Sequence, residues 1–159
     1  FIFPFKIKTD NKKMPLLIVA SAILFNSVNG FLNGYYLGYL NAEISSVISL
    51  NVMIGLVFFF TGMHINNAAD KHLISLRTDN ESYQIPYGGM FKYISCPNHF
   101  GEVIEWIGFM FIASNLPSMT FAIWTFCNLS PRSLNHHKWY KEKFDNYPKK
   151  RKAIIPYML

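Results

Sequence analysis

Charge is what this sequence of 159 residues has little of: only 15% of its positions are Asp, Glu, Lys or Arg, against about 25% in an ordinary soluble domain. The charge that exists is clustered. Met14–Ala42 has none, Ile44–Ala69 has only the imidazole of His64, and none falls in the 26 residues from Trp106 to Pro131. A hydrocarbon core about 30 Å thick is crossed by roughly 20 helical residues. These windows exclude a plain soluble domain and predict an integral membrane protein. Cysteine is scarce too: Cys96 and Cys127 make neither a disulfide framework nor a zinc spacing, so both read as free thiols and no metal is expected. Neither G-x-G-x-x-G nor a P-loop occurs, and the Gly88–Gly89 pair reads as a turn. Any nucleotide must be held by another route. Internal repeats and low-complexity runs are missing. The opening "FIFPFKIKTDNKK" is neither a signal peptide nor a targeting sequence, and Phe1 in first place suggests a fragment of a longer chain.

What is present is an all-α pattern. A first span is predicted over Pro15 to Gly34, where Asn26, Asn29, Asn33, Gly30 and Gly34 recur at three- and four-residue intervals. That places amides and small residues on one face, either to pack helices in lipid or to line a polar cavity. A second span is predicted over Ile48 to Ile65, leaving the membrane through "NNAADKHLISLR", with Asn66, Asp70 and Arg77 on one helical face. Residues 78–95 read as two short strands about a Pro/Gly turn, an interfacial β-hairpin flap. From Val103 to Ser130 the chain has room for two short spans divided at Pro117, or one kinked span. All 15 Lys and Arg fall into three segments, before residue 14, between 70 and 92, and after 131. Basic residues favour the cytoplasmic side, and four spans put all three segments there. The predicted fold is a bundle of about four spans with a basic cytosolic tail. Its charge is read as facing lipid headgroups, not nucleic acid.

The threshold "CPNHFGEVIEW" (Cys96 to Trp106) carries carboxylates where the chain turns apolar. A helix starting near Pro97 aligns Asn98, Glu102, Glu105 and Phe109. Glu102 suits the positive end of such a helix, an effect of about 0.3–1 kcal/mol. Glu105 lies one turn deeper, where a carboxylate is expensive, so the pair suggests a polar cavity in the bundle. Arg77, His136, His137, Tyr140, Lys149, Lys150 and Arg151 stand at the same interface, a mixture suited to a ligand with several phosphates and polar rings.

The runs "YGGMFKYISCPNHFGEVIEWIGF", "NHHKWYKEKFDNYPKKRKAIIPYML" and "FNSVNGFLNGYYLGYL" resemble the C-terminal half of steroid 5α-reductases (3-oxo-5α-steroid 4-dehydrogenases). That resemblance implies a multi-pass enzyme of the endoplasmic reticulum membrane, with residues 70–100 and the tail cytosolic. It implies NADPH-dependent reduction of the 4,5 double bond of a 3-oxo steroid, hydride going to C5 and a proton to C4. By the same resemblance the cofactor site comprises Asn66, Asp70, Arg77, Tyr83, Asn98, Glu102, His136, Tyr140 and Arg151, with Arg77 and Arg151 meeting phosphates. The substrate-polarising glutamate and tyrosine would precede Phe1, so these residues alone would be inactive. Gln84 and Ser21 stand where members of the family carry basic residues. Phe109, Phe111, Phe121 and Trp124 are candidate lining for a steroid slot, or packing. Competing readings are a related enoyl reductase acting on very-long-chain enoyl-CoA or polyprenol, a membrane methyltransferase using S-adenosylmethionine, and a non-catalytic membrane subunit.

Overall fold

The computed structural model describes residues 16–40, 49–76 and 83–159. Among them the architecture is all-helical: α1 (Leu16–Tyr35) continued by a π-helical turn (Tyr36–Leu40), α2 (Leu50–Ser75), a 3-10 turn (Gly89–Lys92), α3 (Pro97–Ala113) and α4 (Leu116–Lys143). Two helical stretches, Leu16–Leu40 and Leu50–Ser75, are long and apolar enough to cross a membrane. Leu16, Leu17, Leu24 and Phe31 of α1 are all more than half exposed, an apolar surface that only lipid or a partner can cover.

The centre of the bundle is the antiparallel pair α2 and α3, and backbone contact explains it. Gly55, Gly62 and Ala69 are the buried residues of α2, a seven-residue repeat that keeps one seam facing its partner. Gly101 and Gly108 answer them from α3. A Cβ added at Gly55 would lie 2.7 Å from the Gly108 carbonyl oxygen, and one at Gly101 would lie 2.6 Å from the Asn66 nitrogen. No side chain larger than hydrogen fits between these backbones. Packing is one of two readings of Gly30 and Gly34 on the first span; among the described residues nothing lies within 4 Å of a Cβ at either. α1 instead meets α4 through Phe25, which stacks on Phe121 (5.9 Å) and Trp124 (5.3 Å).

Helix ends follow local chemistry. Ser49 caps α2 by accepting from the Val52 N–H, and the helix continues past the span end near Ile65 to Ser75, as the helical spacing of Asn66 and Asp70 implies, with Ala69 still packed against the bundle. Pro97 opens α3, where a missing N–H costs nothing. Ser114 ends it in the left-handed conformation (φ 47°). Asn115 then caps α4, its side chain accepting from the Ser118 N–H at 2.8 Å. So this region is two helices with a tight turn, not one kinked helix. α4 does not stop near Ser130: it runs through Pro131 to Lys143. Proline removes one backbone hydrogen bond, yet buried Leu129, Ser130, Ser133 and Tyr140 hold the helix on both sides.

The expected β-hairpin is corrected. Residues 83–95 contain no strand; Gly88 and Gly89 take positive φ (91° and 48°) and lead into the 3-10 turn. One isolated bridge occurs there, parallel, between Ile94 and Lys152. Two short apolar runs lacking cross-strand partners do not make a stable ribbon. The bridge partner comes instead from the basic tail, which is docked. The Lys152 N–H donates to Tyr93 (2.9 Å), and the N–H groups of Ser95 and Cys96 donate to Lys152 and Ala153 (2.8 and 3.1 Å). Ile94 and Ile154 are fully buried in consequence.

Candidate functional site

A cavity of about 770 Å³ opens where α2 ends, α3 begins and α4 passes beneath. That is within the range of about 300–1,000 Å³ for small-molecule and cofactor sites. Its walls are Leu73 from α2, Tyr83 from the following segment, Ser95, Cys96, Asn98 and His99 at the start of α3, and Arg132, Asn135, His136, Trp139 and Tyr140 from α4. The α4 contribution is one helical face, spaced at three and four residues, which exists only because the helix continues past Pro131.

Of the nine expected cofactor residues, Tyr83, Asn98, His136 and Tyr140 line this cavity. Asp70 and Glu102 sit just behind: the Asn98 side chain is beside Asp70, and Glu102 is near both Asp70 and the Trp106 side chain. Asn66 is at the α2–α3 backbone contact opposite Gly101 and is not part of the lining. Arg77 lies outside the described residues.

Arg151 is placed elsewhere. It is 2% exposed; its guanidinium donates to the Pro86 carbonyl at 3.1 Å and to the Tyr147 hydroxyl at 3.4 Å. It also lies over the Tyr147 and Tyr87 rings at 4.9 and 5.7 Å. These contacts make it a bolt between the tail and residues 86–87, behind the wall rather than on it. The residue that sequence reasoning missed is Arg132, a cation on the cavity face with no ion pair among the described residues. Its signal was the interval of four from Arg132 to His136 to Tyr140, hidden by ending the helix at proline.

Hydrogen bonds fix several lining groups. Ser133 Oγ donates to the Leu129 carbonyl (2.8 Å), so His99 Nδ1, 2.8 Å from Ser133 Oγ, donates its own N–H to that hydroxyl. The other ring nitrogen of a neutral His99 is then an acceptor. Ser95 Oγ is 2.6 Å from both His137 Nδ1 and the Tyr147 hydroxyl, and 3.0 Å from the Lys152 carbonyl. Burial, with the neighbouring Lys141, Arg151 and Lys152, pushes the His137 imidazole down to about 4, so at neutral pH it is uncharged. Burial pushes the Cys96 thiol up to about 12, which leaves it a wall residue and not a nucleophile. A second, open depression of about 410 Å³ lies across Tyr83, lined by His72, Gln84, Tyr87 and Asn146 among others.

Comparison with known proteins bears on the family of the chain. The family model described as 3-oxo-5-alpha-steroid 4-dehydrogenase matches residues 12–159. A steroid 5-alpha-reductase of Solanum lycopersicum is 37% identical over 99% of this chain and 63% of its own length. The 3-oxo-5-alpha-steroid 4-dehydrogenase 1 proteins of Homo sapiens and Bos taurus are 40% and 41% identical over 99% of this chain, and 61% and 62% of theirs. The chain thus spans about three fifths of the length of these curated relatives. With the family model matching nearly from end to end, and relatives aligned over nearly all of this chain, it belongs to the 3-oxo-5-alpha-steroid 4-dehydrogenase family.

Proposed function

We propose that residues 1–159 form the cofactor-holding membrane domain of an NADPH-dependent reductase that saturates the 4,5 double bond of a 3-oxo steroid. One observation carries the reading: in a chain of this family, Tyr83, Asn98, His136 and Tyr140 converge with Arg132 on one cavity. The donor set suits a nicotinamide dinucleotide. Arg132 is a fork donor for phosphate, Asn98 and Asn135 are amides for polar ring edges, and Tyr83 and Trp139, which meet edge to face at 5.1 Å, offer flat apolar surface. When bound, the cofactor would supply the hydride. The chain's own residues would bind and orient it: Asn98, beside Asp70, would offer its amide at the cavity wall, while the Arg132 guanidinium would meet negative charge. Glu102, tied to Trp106, keeps the start of α3 polar at the membrane threshold. No residue of this chain is assigned the task of protonating the steroid.

The same proposal places α1, the apolar part of α2, α3 and the uncharged first half of α4 as four spans in the endoplasmic reticulum membrane, with the cavity, the second half of α4 and the tail on the cytosolic side and the steroid reached from the bilayer. Support comes from the two long apolar helices and from the described basic residues, which lie near the ends of α2 and α4 and before the start of α3. The test is ligand titration of the chain in lipid nanodiscs. NADPH should bind saturably and Arg132→Gln should weaken it; saturable binding of S-adenosylmethionine without NADPH binding would reject the reading.

A further inference from the structure

The basic run near the end of this sequence splits in the structure. Arg151 turns inward, whereas Lys149, Lys150 and Lys152 are exposed. Just beyond them the chain climbs along α3. Ile154 packs with Val103 and Leu129, and Ile155 lies against the same cluster with Phe100 and Ile107. Val103 is roughly 9 Å along the helix axis from Pro97 at 1.5 Å per residue, so this segment stands beside the last charged turn of α3 and reaches Ile107, at the start of its uncharged part. A turn then closes, the Ile154 and Ile155 N–H groups both donating to the Leu159 carbonyl at 2.8 and 2.7 Å. It holds Tyr157 and Met158 outward, 78% and 77% exposed. Tyr157 also faces Tyr93 at 5.7 Å, and Lys92 lies over the Tyr93 ring.

We propose that residues 149–159 are a lipid clamp: Lys149, Lys150 and Lys152 meet anionic phospholipid headgroups, while Tyr157 and Met158 enter the acyl boundary beside α3. The occupant is a bilayer of negative surface charge, because the patch joins exposed lysines to exposed apolar tips in the order that crosses a headgroup layer. The inference rests on the membrane reading above and not on the cofactor or the steroid. It also reaches the cavity, since Lys152 and Ala153 accept hydrogen bonds from Ser95 and Cys96 in the cavity wall. Anionic lipid that seats the clamp therefore steadies that wall.

The experiment is a depth measurement in nanodiscs. A spin label at Tyr157→Cys, on a Cys127→Ser background, should be more accessible to oxygen than to a water-soluble nickel chelate. A label at Lys150→Cys should show the reverse. Independently, spin-labelled phosphatidylserine should associate with the unlabelled chain more strongly than phosphatidylcholine, and neutralising Lys149, Lys150 and Lys152 to Gln should cut that preference by up to about five-fold per lysine. A label at residue 157 open to the nickel chelate, or no loss of phosphatidylserine preference in the triple variant, overturns the proposal. Neither readout depends on NADPH, so the clamp can fail while the reductase reading stands.

Discussion

Gly62→Ala should damage this protein more than any other single methylene-sized change on α2. A Cβ at Gly62 would press on the Glu105 nitrogen while lying 2.5 Å from the Gly101 carbonyl oxygen and 2.9 Å from the Glu105 Cα. All three are main-chain atoms, so no rotamer relieves the clash, and α2 and α3 must part by roughly 1 Å to restore ordinary van der Waals separation. Overpacking of this kind costs about 1–3 kcal/mol. The effect also reaches the cavity, because α3 carries Asn98 and His99 while α2 carries Asp70 and Leu73. A displacement of that size can lower a rate on the order of a hundred-fold. Thermal unfolding in detergent, with NADPH titration of the folded fraction, measures both consequences. Gly30→Ala is the control: nothing lies within 4 Å of its Cβ, and replacing a mid-helix glycine should be neutral or stabilise by up to about 1 kcal/mol. Equal unfolding temperatures for the two variants would refute the backbone-contact argument.

Arg151→Ala should loosen the 83–87 segment by removing the Pro86 and Tyr147 bonds, at a cost of about 1.5–3 kcal/mol for a charged hydrogen bond. Affinity for NADPH and NADH should fall equally; a loss confined to NADPH would return Arg151 to the phosphate site. Arg132→Gln should weaken NADPH by at least ten-fold with little change in steroid affinity, measured by equilibrium binding. His137 has its folded pKa held below its unfolded value, so its contribution to tail docking is fully present above about 6.5 and is lost as pH falls through about 4. Hydrogen exchange of residues 147–153 should therefore accelerate in acid, and His137→Gln should flatten that dependence.

Much of the scaffold was legible because it follows from local rules. Uncharged windows of span length, Pro97 at a helix start, and the break at Asn115 and Pro117 each depend on neighbours in sequence. The misreadings share a cause. Residues 83–95 have strand-like composition, but a strand needs a partner, and the partner for Ile94 is Lys152, 58 residues away. Pro131 is a helix breaker in isolation and is overruled by burial on both sides. Gly30 and Gly34 have the spacing of a packing face, yet the close contact formed at Gly55, Gly62, Gly101 and Gly108.

Sequence alone determined that this chain is helical with stretches long and apolar enough to cross a membrane, that its polar threshold starts at Pro97, and which family it belongs to. Those properties are written in hydropathy, in caps and in residue identity. Only the tertiary structure decided which polar side chains share a space. It turned Arg151 inward, brought Arg132 onto the cavity face, and laid the tail against Ser95 and Cys96. The reason is physical: a cavity is defined by backbones approaching from distant parts of the chain, and how closely α2 and α3 may approach is set by pairs of glycines that no single stretch contains.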